Sequence, residues 1–129
     1  MCPESMCLKE GKQISVLVAE DHPPLLELIA AVLNNAGYRV MTAESGDEAL
    51  RIAQESEVDL LLTDLRMPGL SASSLIHQFQ EHSKNSGVVV MSGDGGSLKP
   101  QDRVQFLQKP FTSQTLLAAI SQTLNAGAQ

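Results

Sequence analysis

Several polar residues that could do chemistry follow directly on apolar stretches of the sequence: Glu20, Asp21, Asp64, Ser92 and Lys109. Three carboxylates held together would repel one another, so that either one takes a proton or a hard cation joins them. Carboxylate oxygens are ligands that suit Mg²⁺. A hydroxyl and an ammonium beside such a cation suit phosphoryl transfer, in which the protein positions the group and neutralises its charge. Asp64 is the candidate nucleophile, because carboxylates form acyl phosphates.

Five short apolar runs predict β-strands, at 14–19, 38–42, 58–63, 87–91 and 104–108. The runs at 58–63 and 87–91 are continuously apolar, as expected of strands covered on both faces. Between the runs, apolar residues recur at helical spacing, for example Leu75, Ile76 and Phe79. Alternating strands and helices predict a parallel sheet with helices on both faces.

Helix boundaries are also marked in the sequence. Pro23 is suited to a first turn, and Gly37 stands where that helix would end. Ser45 and Glu48 form a capping box for a helix that runs to about residue 54. Thr112 can cap a final helix.

These elements place the polar residues at one edge of the sheet. In an open parallel sheet, ligands bind outside the carboxyl ends of the strands, near the point where the strand order reverses. If the first and third strands are neighbours there, Glu20, Asp21 and Asp64 converge. The fourth and fifth strands then bring Ser92 and Lys109 alongside them.

Composition narrows the function classes. The 129 residues fit one domain, and 43% hydrophobic residues can fill a core. A net charge of −6 disfavours nucleic-acid backbones and anionic lipid. Membrane insertion is not expected, because no apolar run approaches ~20 residues. With no sign of a signal peptide, we expect a cytoplasmic protein in which Cys2 and Cys7 are free thiols.

Five motifs together resemble the receiver domains of bacterial two-component response regulators, which include the chemotaxis regulator CheY. They are LVAEDHP (17–23), GYRVMTAESGDEAL (37–50), DLLLTDLRMPG (59–69), VVVMSG (88–93) and FLQKPF (106–111). The resemblance implies a flavodoxin-like α/β fold with strand order 2-1-3-4-5. It covers residues 14–125, with 1–13 expected as a flexible leader or linker and 126–129 as a tail.

The resemblance also implies roles for the acidic residues. Asp64 would accept a phosphoryl group from a phosphohistidine on a sensor histidine kinase or a histidine phosphotransfer domain. Glu20 and Asp21 would hold Mg²⁺ together with Asp64, and Arg66 would contribute its backbone carbonyl.

Three further residues receive roles in the same way. Ser92 would hydrogen-bond the phosphoryl oxygens, and Lys109 would pair with the phosphoryl group. The bond from Lys109 to Pro110 is expected to be cis. Phe106 stands at the aromatic switch position, which is thought to swing inward when Ser92 moves towards the phosphoryl group.

Each residue taken alone has a simpler structural interpretation. The acidic pair after the first strand could cap the helix that follows. Asp64 could belong to a turn, Ser92 to an ordinary loop and Phe106 to the core. Lys109 alone would more often be a solvated surface charge. The functional interpretation depends on the whole set in its order and spacing.

The sequence departs from the family's pattern in one segment above all. Residues 93–103 read GDGGSLKPQDR, where three glycines and a proline predict a shortened or missing fourth helix. This change would affect the family's usual output surface more than the phosphorylation site. Ala72 replaces a glycine that is usual in the family. Asp94 is hypothesised to alter the attack of water on the acyl phosphate.

Four functions compete. The leading one is a phosphorylated receiver, either a stand-alone regulator or the C-terminal receiver of a hybrid histidine kinase, with its oligomeric state open. A non-phosphorylated pseudo-receiver that binds protein partners is the second. A flavin carrier would need a phosphate-cradling loop where AEDHPP stands. A hydrolase of the aspartyl-phosphate type would need an acid at Arg66, so we expect no enzyme beyond slow self-dephosphorylation.

Overall fold

The computed structural model describes residues 13–65, 69–82, 86–93 and 104–127, and the side chains of these residues up to 124. Several sequence predictions lie outside the described residues: those for Cys2, Cys7, Arg66 and Asp94, for most of the leader, and for the helix between the fourth and fifth strands. The predicted domain boundaries at 13 and 125 therefore stay predictions.

Five parallel strands form one sheet: β1 (Ser15–Ala19), β2 (Arg39–Ala43), β3 (Leu60–Asp64), β4 (Gly87–Ser92) and β5 (Val104–Gln108). Their order is β2-β1-β3-β4-β5. The described part of the chain also contains four helices: α1 (Pro23–Asn35), α2 (Gly46–Glu55), α3 (Ala72–His82) and α4 (Ser113–Gly127). The predicted flavodoxin-like fold and its strand order are confirmed.

The sheet separates two apolar layers, because successive side chains of a strand point to opposite faces. Helices α1 and α4 cover one layer, which contains Val16, Val18, Leu26, Ile29, Leu33, Leu60, Leu62, Val89, Met91, Leu107, Leu116, Ala119 and Ile120. Helices α2 and α3 cover the other, which includes Leu17, Ala49, Ala53, Leu61, Leu75, Ile76, Phe79, Val88 and Val90. The continuously apolar β3 and β4 are thus buried on both faces, as their composition predicts.

Two predicted helix caps are present. The Glu48 N–H donates to Ser45 Oγ at 3.1 Å, and the Thr115 N–H donates to Thr112 Oγ1 at 3.1 Å. The return bond of the capping box differs from the motif, because Glu48 Oε1 accepts the Glu44 N–H and not that of Ser45. The bonds to Ser45 and Thr112 satisfy main-chain donors that the helices themselves leave free, whereas the bond to Glu48 holds the residue before the cap.

The alternative role of the acidic pair as a cap for α1 is not what the structure shows. His22 occupies the capping position and makes no side-chain capping bond, while Glu20 Oε2 accepts the His22 N–H at 3.1 Å. Prolines at the first two helical positions have no N–H to cap. Glu20 and Asp21 are therefore available for another purpose.

Strand β3 begins two residues later than the apolar run predicts. The Ser15 N–H donates to the side chain of Asp59 at 2.7 Å, and the Asp59 N–H donates to the Ser15 carbonyl at 2.9 Å. The paired register of β1 and β3 begins with Val16 opposite Leu60. Gly37 ends the turn after α1 with φ of 100°, a conformation that favours glycine. This turn delays β2, which begins at Arg39.

Candidate functional site

The three predicted acidic residues lie together at the carboxyl edge of the sheet. Glu20 directly follows β1 and Asp64 ends β3, and these strands are neighbours with Ala19 opposite Thr63. Carboxylate oxygens of Glu20, Asp21 and Asp64 all lie within 4.8 Å of one another. The convergence expected from the sequence is therefore present in the structure.

Lys109 lies at the same edge and contacts two of the acids. Its Nζ atom is 3.1 Å from Glu20 Oε1 and 3.3 Å from Asp64 Oδ1. The Lys109 N–H donates to the Ser92 carbonyl at 2.7 Å, which fixes the end of β5 against β4. The peptide bond between Lys109 and Pro110 is cis, as expected.

Burial and charge shape the protonation of this pair. Burial raises the pKa of Glu20, and the negative charge of Asp64 adds to the effect, so that the hydrogen bond from Lys109 does not reverse it. Burial alone would lower the pKa of Lys109, but the hydrogen bond to Glu20 and the charges of both acids outweigh it and raise this pKa. The ammonium therefore stays charged between the two carboxylates.

The other predicted site residues differ in how far they are exposed to solvent. Asp21 is exposed, so its carboxylate faces solvent at the mouth of the cluster. Ser92 is the last residue of β4 and is buried at the same edge. Phe106 lies on β5 opposite Val90, two residues before the strand ends, and is 37% exposed.

Three further residues make side-chain bonds to the main chain next to Asp64 or at the start of a helix, and they were not singled out in the sequence. The Thr63 hydroxyl donates to the Asp64 carbonyl at 2.9 Å. Ser71 Oγ caps α3, since it accepts the N–H of the residue three positions later at 3.2 Å. Asp47 Oδ2 accepts the Leu70 N–H at 3.3 Å. A polar residue just before or within the first turn of a helix is the signal that could have found Ser71 and Asp47.

This arrangement has the donor set of a divalent-cation site. Three carboxylates and one ammonium leave two negative charges if all are ionised, which a divalent cation would balance. Oxygen ligands that include an exposed carboxylate leave room for coordinated water, as Mg²⁺ requires. The residues present therefore fit the ion that the sequence led us to expect.

The family model of the response regulator receiver domain matches residues 16–121. The chain belongs to this family. Its fold, its strand order and the acidic edge of its sheet are therefore those of a receiver domain of two-component signalling. This match favours the receiver interpretation over the flavin carrier.

Individual relatives agree with this assignment. The transcriptional regulatory protein GlrR of Escherichia coli K12 is 33% identical over 122 residues, which are 91% of this receiver and 28% of GlrR. The receiver thus spans less than a third of that relative's length.

Solved structures show the same likeness. A response regulator receiver protein from Sinorhizobium medicae has a TM-score of 0.83 and 29% identity, covering 90% of this receiver and 98% of that chain. The receiver domain of the hybrid histidine kinase CckA has a TM-score of 0.76 and 32% identity. The alignment covers 85% of this receiver and 98% of the CckA chain. Among the described residues, no helix of this receiver has the length and apolarity to cross a bilayer.

Proposed function

We propose that this receiver takes a phosphoryl group onto Asp64 from a phosphohistidine, with Mg²⁺ bound beside it, and changes conformation to pass on a signal. The donor would be a sensor histidine kinase or a histidine phosphotransfer domain. One observation carries the proposal: carboxylates of Glu20, Asp21 and Asp64 within 4.8 Å of one another, with the Lys109 ammonium 3.3 Å from Asp64.

The transfer needs no proton from the acceptor. An ionised oxygen of Asp64 attacks the phosphorus, an O–P bond forms, and the P–N bond to the donor imidazole breaks. The electron pair of that bond returns to the imidazole nitrogen. The Lys109 ammonium lies 3.3 Å from Asp64 Oδ1, so its charge can stabilise the equatorial oxygens of a phosphoryl group that approaches Asp64.

Glu20, Asp21 and Asp64 would hold the Mg²⁺ ion, and the backbone carbonyl of Arg66 is proposed as a further ligand. The bound ion would neutralise charge on the phosphoryl oxygens as they approach the carboxylates. Burial of Glu20 raises its pKa in the absence of a cation, and a bound divalent ion would favour its ionised form.

The switch would involve Ser92 and Phe106. Ser92 lies at the end of β4, where a phosphoryl group on Asp64 would come within reach of its hydroxyl. Phe106 is only partly covered, so turning inward would bury more apolar surface. Movement of Ser92 towards the phosphoryl group is proposed to open the space that Phe106 enters.

The location of the protein, its lack of enzymatic activity and its place in a larger system are also proposals. We propose a signalling protein with at most slow self-dephosphorylation, located in the cytoplasm, with no nucleic-acid binding or membrane insertion by this domain. It is either a stand-alone regulator or part of a hybrid histidine kinase, and CckA shows that close structural relatives include receivers of such kinases.

Intact-protein mass after incubation with acetyl phosphate and Mg²⁺ tests the proposal. We expect the wild-type protein to gain one phosphoryl group, and Asp64→Asn to gain none. Glu57→Gln is a matched control, since Glu57 is an exposed acid that precedes β3. If wild-type protein gains no mass from this donor or from a phosphorylated histidine domain, the pseudo-receiver interpretation replaces the proposal.

A further inference from the structure

The peptide unit that follows Asp64 is held at both of its polar atoms. The Thr63 hydroxyl donates to the Asp64 carbonyl at 2.9 Å, and the Leu65 N–H donates to the Met91 carbonyl at 2.9 Å. Because this carbonyl and this N–H belong to one planar peptide, rotation of the plane would disturb both bonds. One bond comes from β3 itself and the other from β4, so the plane is fixed from two sides.

The position of the Asp64 carboxylate depends on this peptide. The sheet fixes the chain before Asp64, since Thr63 is paired with Ala19 on one side and with Val90 on the other. With the following peptide fixed as well, the Cα atom of Asp64 has a set position, and only rotations within the side chain remain. In that position Asp64 Oδ1 lies 3.3 Å from the Lys109 ammonium.

Packing explains the shape of Thr63 but not its hydroxyl. Thr63 is 0% exposed and lies between Ala19 and Val90, two residues of the apolar layer covered by α2 and α3. Valine has nearly the same shape and would fill this space without a polar atom. A hydroxyl buried among apolar side chains is unfavourable unless it makes a hydrogen bond. The bond to the Asp64 carbonyl compensates for this burial.

We infer that Thr63 is a positioning residue for Asp64, because its hydroxyl fixes the peptide after Asp64 and so directs the carboxylate towards the reacting group. The inference rests on the proposed function, in which this carboxylate attacks phosphorus. Reacting atoms must meet in the correct geometry, and a small misplacement lowers the rate strongly. Thr63 acts through Asp64 and not by contact with the phosphoryl group.

Two substitutions separate the hydroxyl from the packing. Thr63→Val removes the hydroxyl and keeps the shape, whereas Thr63→Ser keeps the hydroxyl and removes a buried methyl group. Thr123→Val is the matched control, because Thr123 is a buried threonine whose hydroxyl bonds another main-chain carbonyl, that of Ala119, at 2.8 Å. The Thr123 methyl group lies beside Gly87 at the start of β4, whereas Met91 lies near the end of that strand.

A purely structural role and a positioning role predict opposite orders for the two variants of Thr63. The urea midpoint should be lower in Thr63→Ser than in Thr63→Val, since serine leaves a gap in the core and valine exchanges one hydrogen bond for an apolar contact. If Thr63 only stabilised the fold, activity would follow this midpoint. Positioning by the hydroxyl instead predicts that Thr63→Ser stays active and Thr63→Val is impaired.

One measurement reports on the peptide and one on the chemistry. In protein without Mg²⁺, hydrogen exchange of the Leu65 amide, measured by NMR relative to the Leu61 amide of the same strand, should be about ten-fold faster in Thr63→Val than in wild type. With acetyl phosphate and saturating Mg²⁺, the maximal phosphorylation rate of Thr63→Val should fall about ten-fold. Thr63→Ser and Thr123→Val should stay within about two-fold of wild type in both.

The outcomes distinguish this inference from the proposed function. If wild-type protein is phosphorylated and Thr63→Val reaches the same maximal rate, the positioning role is overturned and the proposed function stands. Unchanged exchange of the Leu65 amide in Thr63→Val, or equal losses of rate in Thr63→Val and Thr63→Ser, would also overturn the inference. A wild-type protein that takes no phosphoryl group would overturn both.

Discussion

The Lys109 ammonium lies 3.1 Å from Oε1 of Glu20, a carboxylate that is only 1% exposed. An ionised acid so far from water is costly unless a charge or hydrogen bonds compensate it. Lys109 and the His22 N–H supply this compensation, and the same ammonium is 3.3 Å from Asp64. It therefore stabilises the buried Glu20 carboxylate and stands where charge would develop during the proposed transfer.

Replacing Lys109 with methionine should separate these two roles, because the stem remains and the charge is lost. In metal-free protein, the free energy of unfolding should fall by about 1–3 kcal/mol, since Glu20 Oε1 loses its hydrogen-bond donor. Mg²⁺ should bind about ten-fold more tightly, because a nearby positive charge no longer opposes it. The phosphorylation rate should nevertheless decrease. Urea unfolding followed by circular dichroism and calorimetric titration with Mg²⁺ measure the first two effects.

Arg39→Met is the matched control for this variant. It removes one positive charge from an exposed residue of β2, whose partner Ser15 lies at the opposite end of β1 from Glu20. Its Mg²⁺ affinity should stay close to that of wild type. An equal change in the two variants would mean that net charge, and not the position of Lys109, governs cation binding.

Mg²⁺ should stabilise the folded protein, because the acidic cluster exists only when β1 and β3 are neighbours. At a Mg²⁺ concentration one hundred times the dissociation constant, the free energy of unfolding should rise by about 2.7 kcal/mol. Asp21→Asn should greatly weaken this response and leave the metal-free stability nearly unchanged, since Asp21 is exposed. Thermal unfolding over a series of Mg²⁺ concentrations checks both points. A response of equal size in Asp21→Asn would exclude Asp21 as a ligand.

The edge of the sheet that carries Glu20, Asp64 and Lys109 could be predicted because strand type and strand direction are local properties. Buried parallel strands are apolar along their whole length, so the first polar residue after each one marks the carboxyl edge. The strand order could not be predicted from the apolar runs themselves. It was predicted from the likeness to receiver domains.

The contacts that depend on how elements approach one another could not be predicted. Asp47 and Leu70 are 23 positions apart, and neither residue type indicates that the two form a hydrogen bond. The bond from the Ser15 N–H to the side chain of Asp59 is a second contact of this kind, because the two residues are 44 positions apart. Bonds between a side chain and a distant main chain leave no periodic signal in the sequence.

Tyr38 should titrate at a higher pH in the folded protein than in the unfolded protein. Burial against the core raises its pKa, because the phenolate would lose solvation there. The contribution of this phenol to stability is therefore complete below about pH 10 and is lost as the pH rises through the folded-state pKa. Absorbance at the phenolate band gives this pKa directly, because the chain contains one tyrosine and no tryptophan.

The unfolded reference for that titration is the same protein in concentrated urea. Tyr38→Phe should remove the phenolate signal and flatten the fall in stability at alkaline pH. Equal midpoints in native buffer and in urea would show that Tyr38 is solvated in the folded protein, contrary to its contact with the core.

A last prediction concerns the close approach of α4 to the start of β4. A Cβ at Gly87 would collide with Cγ2 of Thr123, a side chain that is 4% exposed and whose hydroxyl bonds the Ala119 carbonyl at 2.8 Å. Gly87→Ala should therefore lower the free energy of unfolding by about 1–3 kcal/mol through overpacking. Urea unfolding measures this loss.

Thr123→Ser provides the compensating change, because serine lacks Cγ2 and keeps the hydroxyl that bonds Ala119 and Gln105. Alone, Thr123→Ser should lower the free energy of unfolding by about 1 kcal/mol, since it leaves a methyl-sized gap. In the double variant with Gly87→Ala, the added methyl group occupies that gap. Its free energy of unfolding should therefore be higher, by about 1–2 kcal/mol, than the value expected if the two single losses were additive. Additive losses would mean that the cost of Gly87→Ala arises from the backbone of β4 and not from contact with Thr123.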